Sequence, residues 1–296
     1  MNIETDCGAN AYASVLTHLH KHGKKVGKFI EDIDLNITIH DPDRGEPTSK
    51  KMFWGWAVIE CFERLASNYE NPGVAWMLRP TWRRKLEKEG GVFCYSYGES
   101  LQEQIPVILT KLRKRTEREA IFTIWTREHL DARNFQRRPC TLTIHPYLSE
   151  GRLHMWVAMR SSDVANLLSY DLFHHSFLQR YLAAKLDVPL GYLYFKATHF
   201  YIHQKRHDPA KLKREIDAIN QRTYTADPKL SDFGEIDESI TMAYQDIVNA
   251  LDPTTIKVFN DIPHPLIKIM RDAVLLKLKM QFVERTGHHW FTLVGG

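Results

Sequence analysis

The stretch that most constrains this chain is "CTLTIHPYLSEGRLHMWVAMR", residues 140–160. Apolar and polar residues alternate through "TLTIHPYL", break at Ser149-Glu150-Gly151, and alternate again through "RLHMWVAM". Period-two alternation on both sides of a short Gly-containing turn specifies a β-hairpin with one face buried. A second alternating run, "GYLYFKATHFYIHQ" (191–204), follows the apolar helical segment "LFHHSFLQRYLAAKLD" (172–187). A sheet therefore has to be covered by at least one helix.

The flanks extend this layout. Residues 1–30 are expected to be helical through "ANAYASVLTHLHKHGKK", "DLNITIHDPDRGEP" (34–47) to be a strand with its turn, and "KMFWGWAVIECFERLASNY" (51–69) to be an apolar helix. "EAIFTIW" (119–125) reads as a strand and "PHPLIKIMRDAVLLKLKMQFVERTG" (263–287) as a helix. Mixed strands and helices first, and polar helices afterwards, give an α+β class. The expected organisation is a core over 1–204 and a mostly helical carboxyl-terminal extension over 205–296.

Composition excludes several functions. The formal net charge is +4 over 296 residues, too mild for a dedicated nucleic-acid binder. The densest basic runs, "RPTWRRKLEK" and "KLRKRTERE", also carry acids and read as solvated helix faces. Cys7, Cys61, Cys94 and Cys140 form no CxxC pair, so neither a zinc site nor a disulfide framework is indicated, and no metal is expected. No apolar run approaches the ~18 residues that span a bilayer. Free thiols and the lack of a leader predict a cytoplasmic protein without a membrane partner.

Four places hold residues of chemical interest. Cys140 opens the first hairpin strand. As a lone Cys it is a small hydrophobe, and beside a cation it becomes a nucleophile. The hairpin brings Arg160 to its end of the ladder, and a guanidinium there can also hold a phosphate bidentately. "MRSSDVANLLSYD" (159–171) ends one strand and starts a helix with Arg160, Ser161, Asp163 and Asp171. His199 and Tyr201 share a strand face and need hydrogen-bonding partners. Glu60 lies among Val58, Ile59, Cys61 and Phe62, where burial of a carboxyl raises its pKa toward values suited to proton transfer.

Taken in order, "RPC" (138–140), "MRSSD" (159–163), Asp171 and "THFYIH" (198–203) resemble the thymidylate synthase family, including its pyrimidine hydroxymethylase branch. "YSYGESL", "REAIFTIW" and "VIECF" resemble its Tyr-Gly segment, its Arg-containing strand and the helix carrying its catalytic Glu. The motif-level match is good over 90–204, looser over 34–89, and not visible after about 205. The resemblance implies a thymidylate synthase-like mixed sheet packed with helices. It also implies a folate-dependent transferase acting on a pyrimidine nucleoside monophosphate, with 5,10-methylenetetrahydrofolate as co-substrate and a homodimeric assembly.

Roles follow from the same resemblance. Cys140 adds to C6 of the base, and C5 then takes the one-carbon unit. Arg160 and Ser161 hold the 5′-phosphate, His199 and Tyr201 a sugar hydroxyl, and Tyr97 lines the substrate site. Asp163 and Trp82 contact the folate. Glu60 relays protons, and Arg118 reaches the phosphate of the other protomer. At the Asp171 position thymidylate synthases carry an Asn, which suits uracil, whereas the deoxycytidylate hydroxymethylase branch carries an Asp. A carboxylate accepts from cytosine N4–H and from protonated N3, and it meets uracil O4 as a second acceptor. Such a mismatch costs on the order of 1.5–3 kcal/mol. As a plain helix cap, Asp171 would also be natural where it stands. The implied activity is cytidylate 5-hydroxymethylation on dCMP or CMP. Thymidylate synthesis on dUMP, a CMP-specific hydroxymethylase of nucleoside antibiotic biosynthesis, and a non-catalytic nucleotide- or RNA-binding role stand as alternatives. The chain departs from the pattern at Glu119, where a second phosphate arginine is usual (Arg115, Arg137 or Arg138 could replace it). It departs again at Lys196-Ala197, where Gly-Asp is usual, and in the ending "HHWFTLVGG".

Overall fold

A computed structural model describes residues 1–44, 54–114, 117–130, 137–206, 208–221, 236–251 and 262–286. Residue contacts divide it into two units, residues 1–52 with 103–231, and residues 53–102 with 232–296. Residues 205–231 fall in the first unit and 232–296 in the second.

The first unit is built on a seven-stranded mixed sheet. Its strands are β1 (Asn2–Thr5), β2 (Lys24–Val26), β3 (Phe29–Ile39), β4 (Phe122–Thr123), β5 (Thr141–Ser149), β6 (Arg152–Asp163) and β7 (Leu190–His203). The order is β1-β3-β7-β6-β5-β4, with β2 pairing β3. β6 and β7 are parallel, joined by the crossover helix α5 (Leu168–Leu186), and β7 is antiparallel to β3. The predicted hairpin is β5–β6. Its turn is made by Glu150 and Gly151, both at positive φ (51° and 72°), as a two-residue I′ turn requires.

Residues 1–30 are not one helix. The helix α1 runs only from Gly8 to His22, and β1 precedes it. A Cβ on Gly23 would lie 2.5 Å from Leu19 O and 2.6 Å from Ile30 Cγ2, so only glycine lets the chain turn there against β3. Gly27 (φ 55°) then turns β2 back onto β3. The apolar positions Tyr12, Val15, Leu16 and Leu19 of α1 are buried, as are Leu172, Phe177, Leu178 and Leu182 of α5, and both helices pack on one sheet face. Leu35, Ile37, Leu153, Val157, Leu193 and Phe195 form the facing layer of the core.

One irregularity decides which side chains reach the other sheet face. Strict alternation holds through Leu153–Met159 on β6 and Gly191–Ala197 on β7, with odd-numbered residues buried. Beyond Arg160 and Thr198 the parity reverses, and Ser162, Phe200 and Ile202 become the buried ones. Asp34 (φ 59°) and Thr198 drop out of the β3–β7 ladder, and the β5–β6 register shifts between Thr141 and Thr143. Bulges thus run side by side across four strands, each inserting one residue and changing which face follows.

The second unit is helical. It contains α2 (Trp54–Leu65), α3 (Pro80–Lys88), the start of α4 (Tyr97–Arg113), α7 (Ile236–Leu251) and α8 (Pro265–Thr286). α6 (Pro209–Asn220) stands with the first unit, where Glu215 Oε1 accepts from Tyr12 OH at 3.1 Å. The Asp246–Arg271 ion pair, closed off from solvent, ties α7 to α8. None of the described helices is long and apolar enough to cross a membrane.

Candidate active site

In the first unit, Cys140, Arg160, Ser161, Asp163, Asp171, His199 and Tyr201 converge. Cys140 immediately precedes β5, and its Sγ lies 4.0 Å from Ser161 Oγ. Arg160 Nη1 donates to the same Oγ at 3.2 Å, Nε to Pro139 O at 3.0 Å and Nη2 to Arg138 O at 3.3 Å. Its backbone N–H donates to Cys140 O at 2.8 Å. The guanidinium is thus held against the strand that starts at Cys140, 5.9 Å from the Trp125 ring centroid. A preorganised fork of donors beside a hydroxyl suits an anionic oxygen cluster.

The bulges set the rest. Because parity reverses after Arg160, Ser161 and Asp163 face away from the helices and stand opposite His199 and Tyr201 of β7. Without the inserted residue, Ser162 would have taken that face. Tyr201 registers the convergence electrostatically. Burial, Asp163, Cys140 and Asp171 push its phenol up to about 12, against the opposing charge of Arg160.

Asp171 is not a helix cap. α5 starts at Leu168, the residue before it is Leu167, and the Asp171 N–H already donates to Leu167 O at 2.8 Å. Its carboxylate lies in the first helical turn, where the helix dipole favours negative charge. Ser162 Oγ donates to Asp171 Oδ2 at 2.9 Å. Asp163 Oδ2 accepts from Asn166 Nδ2 at 2.5 Å.

The second unit contains an aromatic pocket lined in part by Trp56, Trp76, Trp82, Phe93 and Tyr97, with Glu60, Glu63 and Arg64 on its α2 side. Glu60 Oε1 accepts from Arg64 Nη2 at 3.1 Å, and the Arg64 guanidinium lies 4.5 Å from the Tyr97 ring centroid. Burial opposes the Arg64 charge, but Glu60, Tyr97 and Cys61 outweigh it and raise its pKa. Trp82 meets Phe93 edge-on at 5.5 Å and carries Lys85 at 4.3 Å over its ring.

Sequence reasoning passed over Glu63. Its Oε1 accepts from the backbone N–H groups of Val74 and Ala75 at 2.6 and 2.8 Å, and burial pushes its carboxyl up to about 8. The available signal was a second acid one turn after Glu60 on an apolar helix.

The departures find local explanations. Glu119 is paired with Lys111 at 2.6 Å, and Arg118 beside it is exposed. Arg138 is committed to His129 O at 2.6 Å through Nε. Lys196 forms an ion pair with Asp34 at 2.6 Å, and Ala197 is buried in the sheet core. Arg115 and residues 287–296 lie outside the described residues. Among the described residues no cluster of His, Cys, Asp or Glu is arranged to hold a metal ion.

Comparison with known proteins matches the sequence to a family. The family model named thymidylate synthase matches residues 48–268, about three quarters of the chain. The chain belongs to the thymidylate synthase family. Thymidylate synthases of Bacillus atrophaeus and of Bacillus subtilis strain 168 are each 26% identical over 200 residues, which is 63% of this chain and 86% and 70% of those proteins. The thymidylate synthase of Bacillus phage phi3T is 25% identical over 198 residues. Members of the thymidylate synthase family carry out folate-dependent one-carbon transfer to a pyrimidine nucleotide. The match reaches α7 and the first turn of α8, beyond residue 205 where motif-level likeness fades. Helical repeats of apolar residues carry fold but few distinctive motifs, so the likeness there is visible only to a whole-family comparison.

Proposed function

We propose that this chain is a cytidylate 5-hydroxymethylase acting on dCMP or CMP. The observation that carries the reading is Asp171, a carboxylate set in the first turn of α5 and bonded by Ser162, where an amide would suit uracil. Facing cytosine, it accepts from N4–H and stabilises a proton on N3, which makes C6 more electrophilic. Facing uracil, it opposes O4 with like polarity.

In this reading the Cys140 thiolate forms the Sγ–C6 bond and the electron pair moves toward C5. Methylenetetrahydrofolate supplies a carbon at the oxidation level of formaldehyde. C5 bonds to that carbon and later loses its proton. Departure of tetrahydrofolate leaves an exocyclic methylene, to which water adds as Cys140 leaves, so no hydride is needed. Arg160 and Ser161 anchor the phosphate, and His199 and Tyr201 take a sugar hydroxyl. Glu60, charge-paired with Arg64, organises proton transfer. Asp163, Trp82 and Tyr97 complete the folate and substrate contacts.

A homodimer completes the proposal. The sheet face opposite α1 and α5 exposes Trp156 (43%) and Tyr192 (40%), large side chains of the kind that associate with a second copy. Arg118, exposed beside β4, is proposed to reach the phosphate bound by the other protomer.

The names of the relatives favour one rival, thymidylate synthesis on dUMP. Parallel incubation with dCMP, CMP, dUMP and UMP, each with methylenetetrahydrofolate, separates the readings by product mass. A hydroxymethyl product on a cytosine nucleotide upholds the proposal. A methyl product on dUMP retains Cys140 and overturns Asp171. Binding without any product favours a non-catalytic member.

A further inference from the structure

The strand beyond His199 and Tyr201 carries a carboxylate that neither the motifs nor the proposed chemistry uses. β3 pairs with β7 so that Glu31 stands opposite Tyr201 and Ile33 opposite His199. All four residues face away from the helices. Glu31 Oε1 lies 3.7 Å from His199 Nδ1, and the Glu31 side chain is only 16% exposed while His199 is 47% exposed. The Phe29 ring packs against Tyr201 with centroids 4.9 Å apart, closing that end of the row. Lys24 of β2 is the cross-strand neighbour of Glu31 on its other side.

The order of strands converts this into a position relative to substrate. Ser161 stands opposite His199 on the β6 side, and Glu31 lies beside it on the β3 side. Neighbouring strands are about 4.8 Å apart. A nucleotide with its phosphate on Arg160 and Ser161, and its sugar over His199 and Tyr201, therefore presents the far edge of the sugar to β3. There it meets Glu31, which as a carboxylate only accepts hydrogen bonds.

We propose that Glu31 reads the 2′ position of the sugar and that the substrate is a ribonucleotide. A 2′-hydroxyl donates to the carboxylate, as ribose hydroxyls do to acidic residues in dinucleotide-binding folds. A 2′-deoxy sugar sets a methylene against a mostly buried carboxylate, which loses water and gains no donor. The inference rests on the sugar-binding role given above to His199 and Tyr201, and it chooses CMP over dCMP.

The test is calorimetric titration of CMP, dCMP, UMP and dUMP into the wild-type protein, Glu31→Ala and Glu31→Gln, with melting curves as a folding check. The expected result is a preference for the ribonucleotide of about 10- to 100-fold in Kd. Glu31→Ala should reduce it to within about 3-fold, and Glu31→Gln, which keeps one acceptor oxygen, should retain part of it. A general loss of structure weakens both sugars alike and leaves their ratio unmoved. Equal or tighter binding of the deoxynucleotide by the wild type, or a ratio unchanged in Glu31→Ala, overturns the inference while leaving the nucleotide site intact. Failure of all four nucleotides to bind overturns the site itself, and the inference with it.

Discussion

At the ends of β5, β6 and β7, Arg160, Asp163, Asp171 and His199 each keep part of their surface in water. In the pocket beside α2, Glu63 is closed off from solvent and Arg64 nearly so. The strand-end cluster bonds its carboxylates with neutral donors, Ser162 to Asp171 and Asn166 to Asp163. The pocket spends its charge internally, on the Glu60–Arg64 pair and on the backbone groups held by Glu63. An exposed cluster can exchange water for substrate at little cost. A desolvated network instead fixes shape and shifts proton affinities. The two regions should therefore fail differently when altered.

The largest separation is expected from Cys140→Ala. Removing the nucleophile should lower kcat by about 10⁴-fold or more. Nucleotide affinity, measured by calorimetry, should stay within about 3-fold. A comparable loss of binding would assign Cys140 to packing instead.

Asp171→Asn comes next. The cytosine-to-uracil preference in kcat/KM should move toward uracil by about 10- to a few hundred-fold. An unchanged ratio would return Asp171 to a purely structural role.

Trp82→Ala probes the pocket alone. It should raise the KM for methylenetetrahydrofolate about 10-fold and leave nucleotide binding untouched. Equal effects on both ligands would erase the division of labour between the two regions.

The smallest effect concerns Glu63. Its pKa rises from 4.5 to about 8 through burial, so in that window the folded protein holds a proton that the unfolded chain releases. The stability this contributes is fully present below about pH 4.5 and is lost as pH rises through about 8. Melting curves of wild type and Glu63→Gln should diverge by about 4 °C or more between pH 5 and pH 8, with the wild type falling faster. Parallel curves would show that Glu63 is not proton-linked to folding.

Legibility in the sequence followed the same divide. The β5–β6 hairpin, α5 and β7 were all readable, because alternation and helical period are local properties. The strand-end residues were found as an ordered set, Cys140, Arg160, Ser161, Asp163, Asp171, His199 and Tyr201. Simple alternation would still have misplaced Ser161 and Ser162, since a bulge depends on the neighbouring strands. In the pocket only Glu60, Trp82 and Tyr97 were named. Glu63 and Arg64 were not singled out: the partners of Glu63 are backbone groups of residues 74 and 75, beyond its helix, although the Glu60–Arg64 pair has the legible i,i+4 spacing. The early helix was overextended because "NIET" is too short to show a period. The end of α1 is set by a clash with Leu19 and Ile30 that no local pattern displays.

The aligned bulges carry one more consequence. Upstream of them the odd positions of β6 and β7 are the buried ones, and downstream the even positions are. Tolerance to substitution, mapped residue by residue, should beat at every second position and skip one beat at Arg160 and again at Thr198. Deleting Thr198 would therefore exchange the roles of every later residue in β7, turning the rings of His199 and Tyr201 into the core without altering either side chain.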